Sequence, residues 1–380
     1  MRNKKMHSKK VIEPLLVKFV RLLTAMVFIF SSFTKGIDPM GTNYRVVDYL
    51  EVYGWYFLVD FSFALSVLLI SVEFLLGIAL LFKLRIRLAA IGVLLMMIFF
   101  TVVTYFDARY NLVPDCGCFG DAVKLSNWQT FIKNIFLLIF ALIVFVKRNK
   151  IARQMRKWIQ VTMLLIILAG FDWFIFYNYN HLPVIDFREW KIGNDMKSTG
   201  RETVKTYLEY RNKKTGEIKD FISPNYPWND SIWMSKWEFV NQRIDDSQLI
   251  LKHGLIVEDE DGDIYTDDII ENPGYQLILI SDELDKAKGQ GMIDAATLFT
   301  RLSDSDINVI LLTSSTKDII ERYRELYAID YDVFFADDVE LKAMIRSNPG
   351  LILIQNGIVI TKWHHNDFPQ TDYVKELISQ

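Results

Sequence analysis

The sequence predicts an α-helical transmembrane bundle of five helices, amino terminus in and carboxyl terminus out, joined to an α/β soluble domain. Three observations predict it. Of 380 residues, 51% are hydrophobic and the mean hydropathy is +0.16, above what a water-soluble chain ordinarily carries. Five apolar runs approach the roughly 20 residues that cross a hydrocarbon core about 30 Å thick. Charge is also divided: up to Tyr177 there are 21 Lys and Arg against 10 Asp and Glu, and beyond it 22 against 36. The acidic half argues against nucleic acid, whose phosphates it repels, and no basic stripe interleaved with aromatics overrules that.

The five runs are Leu15 to Phe33, Phe57 to Phe82, Ile86 to Thr104, Trp128 to Val146 and Trp158 to Tyr177. A buried core helix of a soluble protein is the alternative for any one of them, but five of this length, four within 150 residues, favour the bilayer. Orientation follows from the basic residues, which stay with cytoplasmic connections. One side collects Arg2, Lys4, Lys5, Lys9, Lys10, Lys83, Arg85, Arg87, Lys147, Arg148, Lys150, Arg153, Arg156 and Lys157; the other holds Lys35, Arg45, Arg109 and Lys124. The amino terminus is therefore expected in the cytoplasm and everything after Tyr177 outside. The first run carries Lys18 and Arg21 and ends without a small-x-small site, which does not fit a cleaved signal peptide.

Ionisable groups within the spans need partners, because a charge at mid-bilayer costs at least about 2.5 kcal/mol. Arg21 on the first helix and Glu73 on the second lie at comparable depth and are expected to pair, unless Arg21 snorkels to the surface and Glu73 is protonated. Lys133 and Asp172, near the outer face, form a second candidate pair.

The chain's two cysteines both lie in Asp115-Cys116-Gly117-Cys118-Phe119-Gly120-Asp121, just before the fourth span on the predicted outer face. Two cysteines exclude a disulfide scaffold and a four-cysteine zinc site, and no metal ligand set is evident. Outside the cytoplasm disulfides persist. A Cys-x-Cys bridge demands a bent backbone, which Gly117 permits, and a strained small ring is of the exchangeable kind rather than a staple. Cys116 and Cys118 are thus candidate catalytic thiols; an inert bridge and two inert thiols are the alternatives. Asp115 and Asp121 are expected to raise the thiol pKa and slow attack.

With Ser-Ser-Phe-Thr-Lys35-Gly closing the first span, Glu73 followed by Gly77 in the second, and Asp115-Cys-Gly-Cys-Phe-Gly120, the region 11 to 146 resembles the DoxX superfamily, in particular its methylamine-utilisation MauE branch. The resemblance implies a four-helix membrane domain linked with envelope redox chemistry. In the MauE case it implies, within methylamine metabolism, maturation of a disulfide-rich periplasmic subunit. Membrane proteins that form disulfides and pass electrons to quinone are a looser analogy, and make quinone the candidate cofactor.

In the outer half, Thr203 to Tyr210 and Glu217 to Phe221 are expected to form a hairpin, and Trp228, Trp233 and Trp237 to cluster, more as packing than as a carbohydrate platform. The acidic run Glu258 to Asp263 lacks calcium-loop spacing and reads as a turn. From Gly274 strands and helices alternate: strands at Leu277 to Ile280, Val309 to Thr313 and Val333 to Phe335, helices at Met292 to Leu302, Lys317 to Leu326 and Val339 to Ile345. A hairpin of Leu351 to Ile354 with Ile358 to Lys362 and a helix at Tyr373 to Ile378 complete a mixed sheet. Asn348-Pro349-Gly350 before that hairpin resembles the cis-proline strand of thioredoxin-like folds, which implies peptide docking at Pro349. Where that fold carries Cys-x-x-Cys this chain has Ser281-Asp-Glu-Leu-Asp285, so this domain has no thiol to exchange. His364 and His365 read as solvated.

The expected organisation is therefore 1–150, a DoxX/MauE-like four-helix membrane domain; 151–180, a fifth transmembrane helix and linker; 181–272, a β-rich periplasmic segment; and 273–380, a thioredoxin-like domain without redox cysteines. The expected setting is a multi-pass protein of a bacterial inner membrane, with the lipid bilayer and a periplasmic client protein as partners. Two functions stay open: a thiol–disulfide oxidoreductase working through the Cys-Gly-Cys loop, and a non-enzymatic envelope assembly factor. A transporter using Glu73 is disfavoured by the absence of an inverted repeat.

Overall fold

The computed structural model describes residues 13–114, 116–151, 155–198, 205–245, 252–327 and 329–379. Asp115 lies outside them, as do Arg2, Lys4, Lys5, Lys9, Lys10 and Arg153 of the orientation argument. The chain divides into two compact units near Arg188.

The first unit comprises α1 (Leu15–Ile37), α2 (Pro39–Val52), a 3-10 turn (Tyr56–Phe61) leading into α3 (Ser62–Leu81), α4 (Ile86–Tyr110), a short strand β1 (Cys118–Asp121), α5 (Asn127–Lys147) and α6 (Lys157–Asn180). Five segments, Leu15–Ile37, Tyr56–Leu81, Ile86–Tyr110, Asn127–Lys150 and Lys157–Asn180, are long and apolar enough to cross a membrane, and less than half of each is buried within the protein. Phe19, Leu95, Phe136 and Leu165 stand exposed on them. An apolar exterior of this extent is a surface for lipid rather than water. The chain is a multi-pass membrane protein.

The helix ends have local causes. Ser126 and Gln129 form a reciprocal capping box at the start of α5, satisfying donors that a helix cannot pair internally. Asn111 stops α4 in the left-handed conformation. Helix α2 falls where the sequence reads as a connection, because 14 mixed residues are too few and too polar for a span. Its local signal is Asp38, whose carboxylate accepts from Gly41 N at 2.8 Å, with Pro39 at the first helical position.

Helix α1 packs on α3 and α5, α4 on α5, and α6 on α3. The α1–α3 approach depends on Gly77: a Cβ there would sit 2.8 Å from Ile29 Cγ1 and 3.1 Å from Ile29 N. Small residues at such crossings are how lipid-embedded helices come close.

The intramembrane pairs differ from the sequence expectation. Arg21 does not meet Glu73. Its Nε donates to Glu13 Oε1 at 2.8 Å and its Nη1 to the carbonyl of Leu80 at 2.5 Å, so it caps the last turn of α3. Glu13 also takes Lys83 at 2.7 Å; burial works against its ionisation, but Arg21 and Lys83 outweigh that and hold its carboxyl below the ordinary range. Nor does Lys133 meet Asp172, which accepts from Ser71 Oγ at 2.6 Å.

In the second unit a six-stranded sheet runs in the order β10-β9-β6-β7-β8-β5, with β5 (Val257–Glu258), β6 (Tyr275–Ser281), β7 (Ile307–Thr313), β8 (Asp332–Ala336), β9 (Gly350–Gln355) and β10 (Ile358–His364). Strands β6, β7 and β8 are parallel, and β9 is antiparallel to β6 with Leu279 opposite Leu351. Leu277 to Ile280 and Leu351 to Ile354 are buried at every position, as central strands covered on both faces require. The helices are α8 (Thr266–Ile270), α9 (Gly289–Leu302), α10 (Lys317–Tyr327), α11 (Asp338–Met344) and α12 (Thr371–Ile378). The β9–β10 turn is Asn356-Gly357, both at positive φ, the two-residue hairpin that this dipeptide favours. This order of strands and helices resembles thioredoxin-like folds.

A separate three-stranded antiparallel sheet, β3-β2-β4, is built from β2 (Lys205–Asn212), β3 (Ile218–Ile222) and β4 (Trp237–Asp245), with the short α7 (Ser231–Lys236) leading into β4. Trp233 stacks on Trp237 with centroids 5.7 Å apart and meets Tyr210 at 4.9 Å. Trp228 is exposed.

Gly77→Leu is expected to overpack the α1–α3 crossing, destabilising the membrane unit by about 1–3 kcal/mol. A lowered Tm of the detergent-solubilised chain, with Gly77→Ala intermediate, checks it.

Candidate functional site

The Cys-Gly-Cys turn is held against the C-terminal part of α1 and against α2. Gly117 has φ +60 and Gly120 φ +55, and Gly120 N donates to Gly117 O at 3.0 Å, closing a tight turn. A Cβ on Gly117 would lie 2.1 Å from Arg45 Cδ, so glycine is required by both the left-handed backbone and the close approach. Ser31 Oγ of α1 donates to the Cys118 carbonyl at 2.5 Å. Arg45 Nη2 donates to Asp121 Oδ1 at 2.8 Å. Phe119 packs on Phe30 at 5.5 Å.

Cys116 and Cys118 are free thiols, partly buried, with their sulfurs 2.8 Å apart. A disulfide is about 2.0 Å long, so a small movement separates this arrangement from a bond.

Beneath the turn lies an ion pair that the sequence reading did not anticipate. Lys35 Nζ donates to Glu73 Oε2 at 2.7 Å, with both side chains buried. Helix α1 continues to Ile37, so a lysine that reads as a loop residue sits in the last turn and reaches Glu73 on α3. Lys133 of α5 lies 4.5 Å from the Phe119 ring centroid, near enough for its charge to act on the thiols. Structure therefore brings together Cys116, Cys118, Lys35, Glu73 and Lys133. Arg21 and Asp172 belong to other contacts, and Pro349 to the second unit.

Ammonium groups near a thiol favour its anion. The hydrogen bond from Cys116 is the largest influence on Cys118; burial opposes ionisation, Lys133 and Lys35 favour it, and together these bring the Cys118 thiol down to about 6. Cys116 moves the other way, pushed up by its hydrogen bond to Cys118 and by burial. The expectation that flanking carboxylates raise the thiol pKa is thus corrected for Cys118: Asp121 is engaged by Arg45, and the near charges are lysines. Asp115 lies outside the described residues.

Among the described residues no group of three or more His, Cys, Asp and Glu side chains is placed to hold a metal ion. A groove of about 460 Å³ between α3 and α6 is lined by Phe63, Val67, Leu68, Ser71, Leu168 and Asp172.

In the second unit the peptide bond before Pro349 is cis. Ser281 Oγ donates to Asn348 Oδ1 at 2.7 Å, and Asn348 Nδ2 to the Glu283 carbonyl at 2.8 Å. Leu284 N donates to Ser315 Oγ at 2.8 Å. Burial raises the Asp282 carboxyl against the opposing influence of Lys342, 3.9 Å away. No cysteine follows Cys118 in the chain, so this end of the sheet has hydroxyl and amide groups and no thiol.

The family model of the methylamine utilisation protein MauE matches residues 13–147. No curated protein matches the chain. Among solved structures, a thioredoxin-like protein from Bacteroides caccae ATCC 43185 is similar at 10% identity, over 84% of this chain and 82% of that one, with a TM-score of 0.22. The C-terminal domain of an uncharacterized protein from Bacteroides fragilis NCTC 9343 is similar at 15% identity, over 34% of this chain and 94% of that one, with a TM-score of 0.25. The membrane part is MauE-like.

Alkylation of the reduced protein by iodoacetamide is expected to show one fast equivalent whose rate rises through pH about 6 and then levels. Lys133→Met should move that midpoint up by about one unit or more, toward the ordinary thiol value near 8.5. A pH series of labelling rates read by mass spectrometry checks both.

Proposed function

We propose that this protein is a membrane thiol–disulfide oxidoreductase that assists the maturation of client proteins outside the cytoplasm through Cys116 and Cys118. The observation that carries the reading is the pair of sulfurs 2.8 Å apart in a turn whose near charges are the ammonium groups of Lys133 and Lys35. A permanent staple has no use for a stabilised thiolate, whereas exchange depends on one.

In the oxidising direction a client thiolate attacks Cys116 of the Cys116–Cys118 disulfide. That bond breaks, and Cys118 leaves as a thiolate held by the two lysines; a low-pKa thiol is the better leaving group. A second client thiolate then attacks the client sulfur of the mixed disulfide. A client disulfide forms, and Cys116 departs and takes up a proton. Two electrons pass from client to turn. Restoring the disulfide returns two electrons to an acceptor, for which quinone is the class that a membrane setting favours.

The proposed topology puts the amino terminus in the cytoplasm of a bacterial inner membrane, with the turn and the second unit on the periplasmic side. The division into 1–150, 151–180, 181–272 and 273–380 goes with that reading. The MauE likeness supports a disulfide-rich periplasmic subunit, as in methylamine metabolism, as the client class. Pro349, at the sheet edge that receives extended peptides in thioredoxin-like folds, is the proposed client-docking position.

A second reading, a non-enzymatic assembly factor, is favoured by the thiol-free end of the sheet in the second unit. Serine substitutions separate the two: Cys116→Ser and Cys118→Ser should each abolish function in an oxidoreductase and leave an assembly factor's phenotype intact.

Membrane-impermeant maleimide on intact cells is expected to label the two cysteines, with labelling enhanced after reductant. Labelling that requires permeabilisation overturns the topology, and labelling indifferent to reductant under all growth conditions overturns the redox cycle.

A further inference from the structure

Resting on the oxidoreductase reading is a further question, what keeps the two sulfurs ready to bond. A short turn with glycine at two left-handed positions is conformationally permissive, and in free form its thiols spend most of their time apart. Side chains from two helices fix it. Ser31 Oγ of α1 donates to the Cys118 carbonyl at 2.5 Å. Arg45 of α2 lies over Gly117, with its Cδ 2.1 Å and its Nε 2.5 Å from where a Cβ would stand. Beyond Gly117, Arg45 Nη2 donates to Asp121 Oδ1 at 2.8 Å. On the other side its Nη1 donates to the Gly41 carbonyl at 3.0 Å, in the first turn of its own helix. Gly41 N is in turn held by the Asp38 cap at 2.8 Å. One guanidinium therefore spans from the capped start of α2, across the residue between the cysteines, to the end of the turn. The ion pair is mostly buried, with 18% of the Arg45 side chain and 13% of Asp121 exposed. A charge-assisted hydrogen bond so shielded keeps its geometry better than a surface pair that water screens.

We propose that Arg45 is a positioning residue for disulfide exchange: joined to Asp121 across Gly117, it clamps the turn with its sulfurs together and so favours the disulfide over the dithiol. The cause is entropic. Ring closure normally costs the freedom of both thiols, and a dithiol already held with its sulfurs 2.8 Å apart has given up most of that freedom beforehand. The disulfide is constrained by its own bond and gains less from the clamp. With glutathione disulfide as oxidant the step balances. The Cys118 thiolate attacks it, its S–S bond breaks, and one glutathione thiolate leaves. Cys116 Sγ then attacks Cys118 Sγ; the Cys116–Cys118 bond forms, the mixed disulfide breaks, and the second glutathione thiolate leaves with the electron pair. The Cys116 proton goes to water. The protein loses two electrons and glutathione gains them.

The test equilibrates the full chain in detergent with glutathione buffers of graded ratio at neutral pH, traps the thiols and counts them by mass. Arg45→Met keeps a long side chain over Gly117 without the guanidinium, and Asp121→Ala removes the acceptor. Each should shift the equilibrium about tenfold toward the dithiol, the scale of a lost charge-assisted hydrogen bond, which is a midpoint about 30 mV higher. The double variant should shift no further than either single one, because both remove the same interaction. Arg45→Lys, which keeps a cation opposite Asp121, should recover part of the shift. The direction separates a clamp from a charge: loss of a cation and loss of an anion act oppositely on a nearby thiolate, whereas loss of either half of a clamp acts the same way. The Tm of each variant, read alongside, separates a fold defect from a moved midpoint. Opposite shifts, additive shifts or unchanged midpoints overturn the inference and leave the oxidoreductase reading standing. A wild-type pair that stays dithiol at every glutathione ratio overturns that reading and the inference with it.

Discussion

The burial of Lys35 against Glu73 is the constraint on which the end of the bundle that carries the Cys-Gly-Cys turn depends. Two opposite charges in a low-dielectric interior attract strongly, yet each has lost its hydration, and the pair is tolerable only while both members stay together. Removing one partner of such a pair typically costs about 3–5 kcal/mol. The pair ties the last turn of α1 to the middle of α3, and it fixes a cation below the Cys-Gly-Cys turn. Lys133 adds a second from α5. The turn is seated on this charged floor by Ser31, and Arg45 takes Asp121 out of the local electrostatics.

That arrangement splits two chemically identical thiols. Their mutual hydrogen bond moves the two in opposite directions, raising Cys116 and lowering Cys118, while the lysines favour the anion of either. A pair so polarised has a leaving group and a proton holder, which are the two roles that thiol–disulfide exchange needs. The second unit has the opposite character. Its central strands are fully buried, its strand order resembles thioredoxin-like folds, and the end of β6 is closed by hydrogen bonds among Ser281, Asn348 and Glu283. The chain's two cysteines both lie in the membrane unit.

Much was legible before any tertiary information. The apolar runs located all five spans, since length and hydropathy are local properties that the bilayer reads directly. Alternating strand and helix patterns located the elements from Tyr275 onward, and Asn356-Gly357 announced its own turn through a preference for positive φ. Cys116 and Cys118 were legible as a site because a glycine between two cysteines is chemically distinctive. Helix α2 was not, because it is too short and mixed to show a span's signal; Asp38-Pro39 at its start was the only local hint.

Partner choice among buried charges was the part that local pattern could not supply. Depth along a helix is a one-dimensional coordinate, and on that coordinate Arg21 with Glu73, or Lys133 with Asp172, looked reasonable. Pairing also depends on helix rotation, on where each helix ends, and on how far a long side chain reaches. Helix α1 running on to Ile37 turned Lys35 into a buried partner, while Arg21 found the carbonyls at the end of α3. The sequence by itself determined which residues enter lipid, which fold as a mixed sheet, and where the two cysteines lie, because those follow from hydropathy, periodicity and composition. Only the tertiary structure decided which charges face the thiols, because that depends on side chains from α1, α3 and α5 converging at one point, and no local pattern encodes such a convergence.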